Sequence, residues 1–308
     1  DSRYLKKQQY VGFDGNRKSF VIKSFLKGLS TDVVILSHIN LLSIAYLIKR
    51  LSPKTKVYLI AHGIEIWRKL PEAKLRALKR LDKILAVSEF TKEKIILEHN
   101  ISGSKIEILN NCLDPFYYFP IDFTKPTELL KRYHLKKENT VIMCLSRLSS
   151  SEKYKGYDNV IKILPNLIEK NPEIIFLLAG KADEEERLRL TKLIADYKIK
   201  SNIRLIGFVD EAELSDHFLL SDIFVMPSKK EGFGIVFIEA MASGLKVIAG
   251  NKDGSVDALA NGKLGKLIDP DNLNEIEHTL SELLNQHSNS EEKVTLQKNV
   301  LAAFNYQK

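Results

Sequence analysis

Short apolar runs alternate with helical patterns along most of the chain. Ten runs rich in β-branched residues predict strands, at 31–38, 56–62, 83–88, 106–111, 140–147, 174–180, 202–209, 223–228, 245–250 and 265–270. They are continuously apolar, which is typical of strands covered on both faces. Helical patterns lie between most of them, for example at 158–170 and 184–197. This alternation predicts an α/β fold built from parallel, doubly wound sheets.

The alternation pauses at 114–126, where three prolines and five aromatic residues interrupt both periods. We interpret this segment as a linker between two Rossmann-like domains, residues 1–115 and 116–290. A polar loop at 286–293 precedes a final short helix, predicted over 294–304. The terminal region, assigned to 291–308, is free to pack back on the first domain. The first domain has only four predicted strands, so we expect its first strand to be missing and sequence to precede Asp1.

Composition indicates which broad class of protein this chain belongs to. With 44% hydrophobic and 28% charged residues, the chain has the composition of a soluble globular protein. No apolar run approaches the roughly 20 residues of a membrane-spanning helix. Cys112 and Cys144 lie in or beside apolar runs, which predicts reduced core cysteines in a reducing compartment, the cytoplasm.

The net charge of +8 raises the question of an anionic partner. The densest basic stretch, Arg68–Lys83, carries Leu75, Leu78 and Leu81 at helical spacing, which predicts an amphipathic basic helix. A solvated face and contact with an anionic membrane surface both fit this pattern. Nucleic acid fits less well, because aromatic residues are not interleaved with the basic ones as stacking platforms.

Candidate binding residues follow the predicted strands, since ligands of open parallel sheets bind beyond the carboxyl ends of strands. Glycines at four of these ends would let a ligand approach the backbone closely. Two such sheets facing each other would form one cleft. The residues that follow the strands include His62, Ser146, Arg147, Gly180, Gly207, Phe208 and Gly250.

The segment EGFGIVFIEAMASG, Glu231–Gly244, predicts a buried helix over 234–243 that ends at a glycine. A lone carboxylate in such a helix is costly, so Glu239 needs a partner. Glu231 lies just before the helix N-terminus, where free amides and a partial positive charge suit a phosphate. The residues equally allow Glu239 to meet a lysine or backbone amides, and Glu231 to cap the helix.

Basic residues follow another strand end. Arg147 comes directly after a predicted strand, and Lys153 and Lys155 lie in the loop that follows. A guanidinium and an ammonium there can grip a diphosphate through charge-assisted hydrogen bonds. Lysines in a loop are also commonly just solvated.

Several motifs together resemble glycosyltransferase family 4, retaining enzymes of the GT-B fold with two Rossmann-like domains facing a cleft. They are SRLSSSEKYKGYDNVI, NIRLIGFVDEAEL, PSKKEGFGIVFIEAMASGLKVIA and GSVDAL, with AHGIEIW, LKRLDKILAVSEFTKEKI and KIEILNN in the first half. The resemblance covers about 32–271, and its most specific feature is the pair of glutamates eight residues apart around GFG.

The resemblance implies a role for each matching position. Glu231 is placed against the donor sugar, and Glu239 against the ribose hydroxyls of the nucleotide. Arg147 and Lys155 form the basic pair on the leaving diphosphate, with Lys153 as a rival because this loop is long. His62 resembles a histidine near the reacting sugar. The backbone at Phe208 and Val209 would contact the nucleobase. The donor-binding loop would be Gly232, Phe233, Gly234 and Ile235.

The function implied is transfer of a sugar from a nucleotide diphosphate donor to a glycan or lipid-linked acceptor in cell-surface polysaccharide biosynthesis. For retaining members, front-face attack with the leaving phosphate as base is the usual proposal. No His, Cys or carboxylate cluster has metal-ligand spacing, so we expect catalysis without metal or other cofactor. The chain would act in the cytoplasm, with peripheral contact to the inner membrane face left open.

Two alternatives to this function remain open, and two segments of the chain depart from the family pattern. A catalytically inactive nucleotide- or sugar-binding relative and a nucleotide-sugar epimerase are the alternatives, whereas a dinucleotide oxidoreductase would need a glycine fingerprint that the chain lacks. Many relatives have a glycine-rich loop after their first strand, and none precedes Asp32 here. LLAGKADEE also replaces the more usual glycine–aspartate–glycine loop, which affects donor contacts there.

Overall fold

A computed structural model of the chain describes residues 3–286 and 289–307. The described chain divides into two compact units. The first contains the chain up to Val87 together with Thr91–Leu109, and the second contains Ser88–Phe90 together with the chain from Asn110 onward. Each unit is built on a parallel sheet, which confirms the predicted α/β class.

The first unit has four parallel strands in chain order. They are β1 Val33–Leu36, β2 Lys56–Ala61, β3 Lys83–Ala86 and β4 Ile106–Ile108, and the sheet order is β1-β2-β3-β4. The helices that accompany them are α1 Arg17–Gly28, α2 Leu42–Leu51, α3 Glu72–Lys79 and α4 Glu89–His99. All four strand patterns are therefore confirmed, at lengths shorter than predicted.

Burial in the first sheet differs from the expectation. Along β2 and β3 only alternate residues are fully buried, such as Val57, Leu59 and Ala61, while Ile35 of β1 is exposed. One face of this sheet therefore carries the core, and the prediction that these strands are covered on both faces was wrong. The strand order also does not reverse, so within the described residues this sheet is not doubly wound.

The second unit has six parallel strands whose order reverses. They are β5 Thr140–Leu145, β6 Ile174–Ala179, β7 Ile203–Gly207, β8 Ile223–Met226, β9 Lys246–Gly250 and β10 Lys266–Ile268, and the sheet order is β10-β9-β8-β5-β6-β7. Every residue of β6 and β8 is buried, as the continuous apolar runs predicted. The chain runs outward from β5 to β7, then returns to place β8 beside β5. This reversal is the topological switch point at which open α/β sheets bind ligands.

Eight helices of the described residues belong to this unit. They are α5 Thr127–Arg132, α6 Tyr157–Lys170, α7 Glu184–Asp196, α8 Leu214–Leu220, α9 Ile235–Ala242, α10 Ser255–Ala258, α11 Leu273–Leu284 and α12 Ser290–Phe304. The expectation for α9 is confirmed, since most of its residues are buried and the chain turns at Gly244 with φ +78°.

The terminal helix differs from its prediction. It begins at Ser290, inside the segment predicted to be a polar loop, because the Asn289 side chain accepts a hydrogen bond from the Glu292 amide as a cap. Residues 287 and 288 of that segment lie outside the described residues. Helix α12 packs on α9 and belongs to the second unit. The contacts that place it there include the Phe233–Phe304 ring pair at 5.6 Å.

Two further expectations were wrong. The basic helix predicted over Arg68–Lys83 is only α3, because Leu81 lies in a connection and Lys83 begins β3. Cys112 is exposed rather than part of the core, since it follows the end of β4, whereas Cys144 is buried as predicted and both are free. No helix of the described residues has the length and apolarity needed to cross a membrane.

Candidate active site at the strand switch point of the second unit

Two loops of the second unit meet at the switch point. One follows β5 and reaches Gly156, and the other follows β8 and reaches Gly234. The Lys229 amide donates a hydrogen bond to the Tyr154 carbonyl at 3.0 Å, which joins the loops directly. Gly156 adopts φ +82°, and a β-carbon there would lie 2.2 Å from the Pro227 carbonyl oxygen. Only glycine allows the two loops to approach this closely.

A lysine–glutamate pair spans these loops. The Lys155 ammonium donates to a carboxylate oxygen of Glu231, and the two side chains are only 15% and 13% exposed. The structure thus brings together two residues that the sequence placed in one site. Lys153 is exposed, and its described electrostatic contact is with Glu186 rather than with Glu231.

Arg147 lies on the same side of the unit, with a different partner. Its Nη2 lies 2.7 Å from Glu152 Oε1, and its side chain is 75% exposed. Tyr154 links this pair to the other, because burial and the carboxylates of Glu152 and Glu231 raise its pKa to about 12 while Arg147 opposes that rise. Arg147 and Glu231 thus both influence Tyr154 electrostatically.

A buried aspartate that the sequence analysis missed holds Glu231 in place. The Glu231 amide donates to Asp253 Oδ2 at 2.7 Å, and the Gly254 amide donates to the Glu231 carbonyl at 2.8 Å. Asp253 also accepts from the Ser255 amide at 2.9 Å, and burial raises the Asp253 pKa to about 6. Asp253 follows β9, so applying the strand-end rule to every polar residue after β9 would have found it.

Glu239 lies on α9, about two turns beyond Glu231. Burial, with a smaller contribution from the carboxylates of Glu211 and Asp114, raises its pKa to about 7. Within residues 3–286 and 289–307 its carboxylate meets no cation and accepts no hydrogen bond. Only its main-chain carbonyl has a described partner outside the helix, the Tyr117 hydroxyl at 3.2 Å. The lysine or backbone-amide partner that the sequence allowed is thus not observed.

The N-terminus of α9 completes this surface. Gly234 is the N-cap, with φ +87° and no side-chain hydrogen bond to the helix. Glu231 therefore does not cap α9, which excludes that alternative. Ile235, the first residue of α9, is exposed, whereas Phe233 before the helix is buried, so α9 begins at an open surface. Its amides and partial positive charge favour an anion at that surface.

Two glycines and one aromatic residue at other strand ends differ in how closely they are packed. A β-carbon on Gly180 would lie 1.7 Å from the Ser146 carbonyl oxygen, and one on Gly250 2.0 Å from that of Ser228. These two glycines therefore allow neighbouring strand ends to approach each other closely, and the approach of a ligand to the strand-end glycines stays a prediction. Phe208, after β7, is 74% exposed, and Val209 beside it is partly exposed.

His62 belongs to the first unit, directly after β2. Its Nε2 lies 2.9 Å from the Ser37 carbonyl oxygen, and its amide donates to Glu65 Oε1 at 2.7 Å. The side chain is exposed. Its role near a reacting sugar stays a prediction. In the part of the chain that the structure describes, no three His, Cys, Asp or Glu side chains are placed to hold a metal ion.

Two family models match the chain. The model described as "Glycosyl transferases group 1" matches residues 127–299, and the model described as "Glycosyltransferase Family 4" matches residues 12–115. The first therefore covers more than half of the chain and includes the loops described above.

Curated relatives agree with these models. A GDP-mannose-dependent alpha-(1-6)-phosphatidylinositol monomannoside mannosyltransferase of Mycobacterium tuberculosis is 32% identical over 247 residues, which are 76% of this chain and 62% of the relative. A mannosylfructose-phosphate synthase of Agrobacterium fabrum is 27% identical over 195 residues, 61% of this chain and 42% of that protein. The chain thus spans less than two thirds of the length of these relatives.

Solved structures share the fold. The HepE protein of Anabaena in complex with UDP has a TM-score of 0.78 at 18% identity, covering 93% of this chain and 78% of that one. A sucrose-phosphate synthase from Thermosynechococcus elongatus has a TM-score of 0.74 at 18% identity, covering 98% and 78%. At this level of identity the likeness concerns the GT-B fold alone.

Proposed function

Since this chain belongs to the glycosyl transferases group 1 family, we propose that it transfers a sugar from a nucleotide diphosphate donor to an acceptor, with retention of anomeric configuration. The observation that carries the proposal is the Lys155–Glu231 pair at the switch point, formed between the loop that follows β5 and the loop that leads to the N-terminus of α9. This is where an open α/β sheet binds a nucleotide.

Departure of a diphosphate leaves negative charge on its oxygens and positive charge on the sugar. Arg147, Lys155 and the first turn of α9 meet the negative charge with fixed positive charge. Removing one well-placed donor of this kind typically costs about 3–4 kcal/mol of transition-state stabilisation. The Glu231 carboxylate would hold the sugar beside them, and the leaving phosphate would take the proton of the attacking hydroxyl.

The Lys155–Glu231 pair is compatible with these roles. An ammonium has three N–H donors, and a carboxylate has about four acceptor positions. Lys155 can therefore keep its hydrogen bond to Glu231 and still donate to two diphosphate oxygens. Glu231 can likewise accept from a sugar hydroxyl. The pair then orients both side chains, which lowers the entropy lost when the donor binds.

Glu239 provides the nucleotide contact in this proposal. Its partly buried carboxylate has no described protein donor, and a ribose offers two neighbouring hydroxyl donors. Two such bonds would compensate the burial that raises its pKa. The exposed ring of Phe208 and the backbone at Val209 provide the predicted contacts to the base.

Donor and acceptor are proposed by class. The mycobacterial relative is named as GDP-mannose-dependent and as acting on a phosphatidylinositol monomannoside, and the Anabaena structures contain UDP, glucose or UDP-glucose. We therefore propose a GDP- or UDP-linked hexose as donor and a glycan or glycolipid as acceptor. GDP-mannose and UDP-glucose are the first donors to test.

The test compares turnover of the Lys155→Ala, Glu231→Ala and Lys153→Ala variants with the active donor. We expect kcat to fall by about 100- to 1,000-fold for the first two. The third should keep kcat within about threefold, because the described charge interaction of Lys153 is with Glu186 rather than with Glu231. Donor hydrolysis without acceptor is measured in parallel. Equal rates for all variants would contradict the site, and a wild-type protein that binds nucleotide without turnover would favour the inactive relative.

We also propose that this chemistry needs no metal ion. The support is that two basic side chains after β5, Arg147 and Lys155, can donate charge-assisted hydrogen bonds to a diphosphate, a task that a metal ion performs in other enzymes. Turnover should then be unchanged within experimental error after dialysis against EDTA. A loss of activity that Mg²⁺ or Mn²⁺ restores would overturn this part of the proposal.

Peripheral contact with an anionic membrane is proposed from the first unit. Val21, Ile22 and Leu26 of α1 are exposed beside Lys18 and Lys23, a combination typical of helices that lie on anionic lipid. Flotation with vesicles containing phosphatidylglycerol should recover the protein, and flotation with neutral phosphatidylcholine vesicles should not. Recovery with neither would remove this partner.

A further inference from the structure

A lysine-lined cavity lies at the edge of the second sheet opposite the candidate active site. Its volume is about 300 Å³, and its walls include Thr140, Ile223 and Lys246, the first residues of β5, β8 and β9. Since the strands are parallel, these residues mark the amino-terminal edge of the sheet. The proposed donor site lies at the carboxyl-terminal edge, so the two sites are separate.

Positive charge exceeds negative charge on the cavity walls. Lys125, Lys137, Lys246 and Lys293 line it, against Glu138 and Asp222. Asp222 is already paired, because its Oδ2 lies 2.7 Å from the Lys125 ammonium and accepts from the Val141 amide at 2.7 Å. Among the described residues, no carboxylate forms an ion pair with Lys137, Lys246 or Lys293.

Lys246 and Lys293 are the unbalanced cations. The Lys246 ammonium donates to the Gln286 carbonyl at 2.5 Å, which satisfies one of its three donors. The Lys293 ammonium lies 6.0 Å from the centre of the Phe123 ring, and within the described residues it has no oxygen acceptor. A partly buried ammonium without an anion or acceptor is an expensive arrangement.

The electrostatics of the two lysines agree with this geometry. Burial lowers the pKa of Lys246 and the pKa of Lys293 below the ordinary lysine value. The Lys125 ammonium lowers the Lys293 pKa further, while Asp222 opposes the change for Lys293 and Glu292 opposes it for Lys246. A bound anion would reverse the effect of burial on both groups.

We propose that this cavity is a binding site for a phosphate-bearing anion. Lysines from β9, from α12 and from the segment before β5 approach it from three sides. A compact group with several equivalent oxygens can accept from more than one of them at once, as phosphate does. Free orthophosphate and a phosphorylated sugar share this chemistry, and the test below separates them.

Reductive labelling tests the site residue by residue. The wild-type protein is treated with pyridoxal 5′-phosphate, reduced with borohydride, digested and mapped by mass spectrometry. Pyridoxal, which carries the same aldehyde without the phosphate, is the matched reagent. Lys298, exposed on the same helix as Lys293, is the matched residue. We expect Lys293 or Lys246 to be labelled about tenfold faster than Lys298 by the phosphorylated reagent only.

Competition identifies the source of the phosphate. Protection of Lys293 by orthophosphate indicates a free-anion site, and protection only by a hexose phosphate indicates an organic phosphate. Protection that sodium chloride of equal ionic strength reproduces is screening and would overturn the proposal. Equal labelling by pyridoxal would also overturn it, since Lys293 would then be a reactive lysine whose stem packs on Phe123.

A second measurement removes the contribution of the proposed donor site. In a Lys155→Met background, orthophosphate or the protecting hexose phosphate should stabilise the protein against thermal unfolding. The further change Lys298→Met should leave that shift intact, and Lys293→Met should remove most of it. If neither variant loses the shift, that result contradicts the site independently of the labelling.

Discussion

At the scale of single residues, Glu239 has the clearest pH signature. Burial raises its pKa from the ordinary 4.5 to about 7, so the fold favours the protonated form. The stability of the fold then falls as pH rises from about 4.5 through about 7. Because a glutamine side chain at this position would lack the charge, we expect Glu239→Gln to be more stable than wild type at pH 8, by on the order of 2 kcal/mol, with a smaller gain at pH 5.

Hydrogen exchange of the β5 and β8 amides at both pH values measures this effect. Fluorescence would not, because the single tryptophan, Trp67, lies in the first unit. Glu185→Gln, on the exposed side of α7, is the matched control and should show no pH-dependent gain. A Glu239→Gln variant that is never more stable than wild type would mean that the carboxylate has a favourable partner.

Asp253 is the second residue with a specific expectation. It accepts two backbone amides, one of them from Glu231, so removing it leaves two buried donors unsatisfied and releases the Glu231 loop. We expect Asp253→Ala to lower kcat by at least about tenfold, which corresponds to about 1.4 kcal/mol. Asp253→Asn keeps one acceptor and should recover part of the loss.

The kinetic pattern separates this positioning role from plain destabilisation. In Asp253→Ala the remaining folded protein should still have the lower kcat at 10 °C, where the fold is intact by circular dichroism. Asp196→Asn, an exposed change on α7, should leave kcat unaltered. A variant whose activity loss tracks only the unfolded fraction would show that Asp253 acts on stability alone.

At the scale of elements, the contact between the loops after β5 and β8 depends on Gly156. Both Gly156 and Gly262 have positive φ, but the nearest atom to a β-carbon on Gly262 would lie 3.7 Å away, whereas a β-carbon on Gly156 would strike the Pro227 carbonyl. Each Gly→Ala change lowers stability by about 1–2 kcal/mol, because alanine disfavours the left-handed backbone conformation. We expect Gly156→Ala to cost clearly more and to weaken nucleotide binding as well.

Nucleotide affinity, measured by calorimetry for the two alanine variants, separates the contributions. Gly262→Ala controls for backbone strain, so an affinity loss confined to Gly156→Ala is caused by the loop contact. Equal effects of the two changes would mean that the approach of Gly156 to Pro227 does not position Lys155.

The existence of the helices and strands was largely predictable, but the residues at which they begin and end were not. Strands such as β6 and β8 are buried on both faces, so every position must be apolar and the sequence pattern is unambiguous. Helix α3 was predicted too long because basic residues and leucines continue at helical spacing into Lys83. That spacing is equally compatible with a turn followed by β3, and only pairing between β2 and β3 decides between them.

At the scale of the whole molecule, the candidate site was predictable as a set of strand ends. Arg147, Lys155 and Glu231 could be found from their positions after apolar runs, because the sheet brings such positions together. The pairing of Lys155 rather than Lys153 with Glu231, and the anchor at Asp253, depend on how three loops pack. A sequence records no such packing, since residues 155, 231 and 253 are far apart along the chain.

The division into two units gives a prediction for the whole chain. Because two units need not unfold together, ligand effects are best followed within the unit that binds the ligand. A nucleotide at 100 times its Kd should stabilise the unit that binds it by about 2.7 kcal/mol.

If the donor site is the one proposed, GDP or UDP should slow hydrogen exchange at 146–156 and 227–242 and leave exchange in β2 and β3 unchanged. The nucleotide that slows exchange identifies the base of the donor, and Glu239→Ala should reduce that protection. Protection confined to the first unit would contradict the assignment of the nucleotide to the β5–β8 switch point.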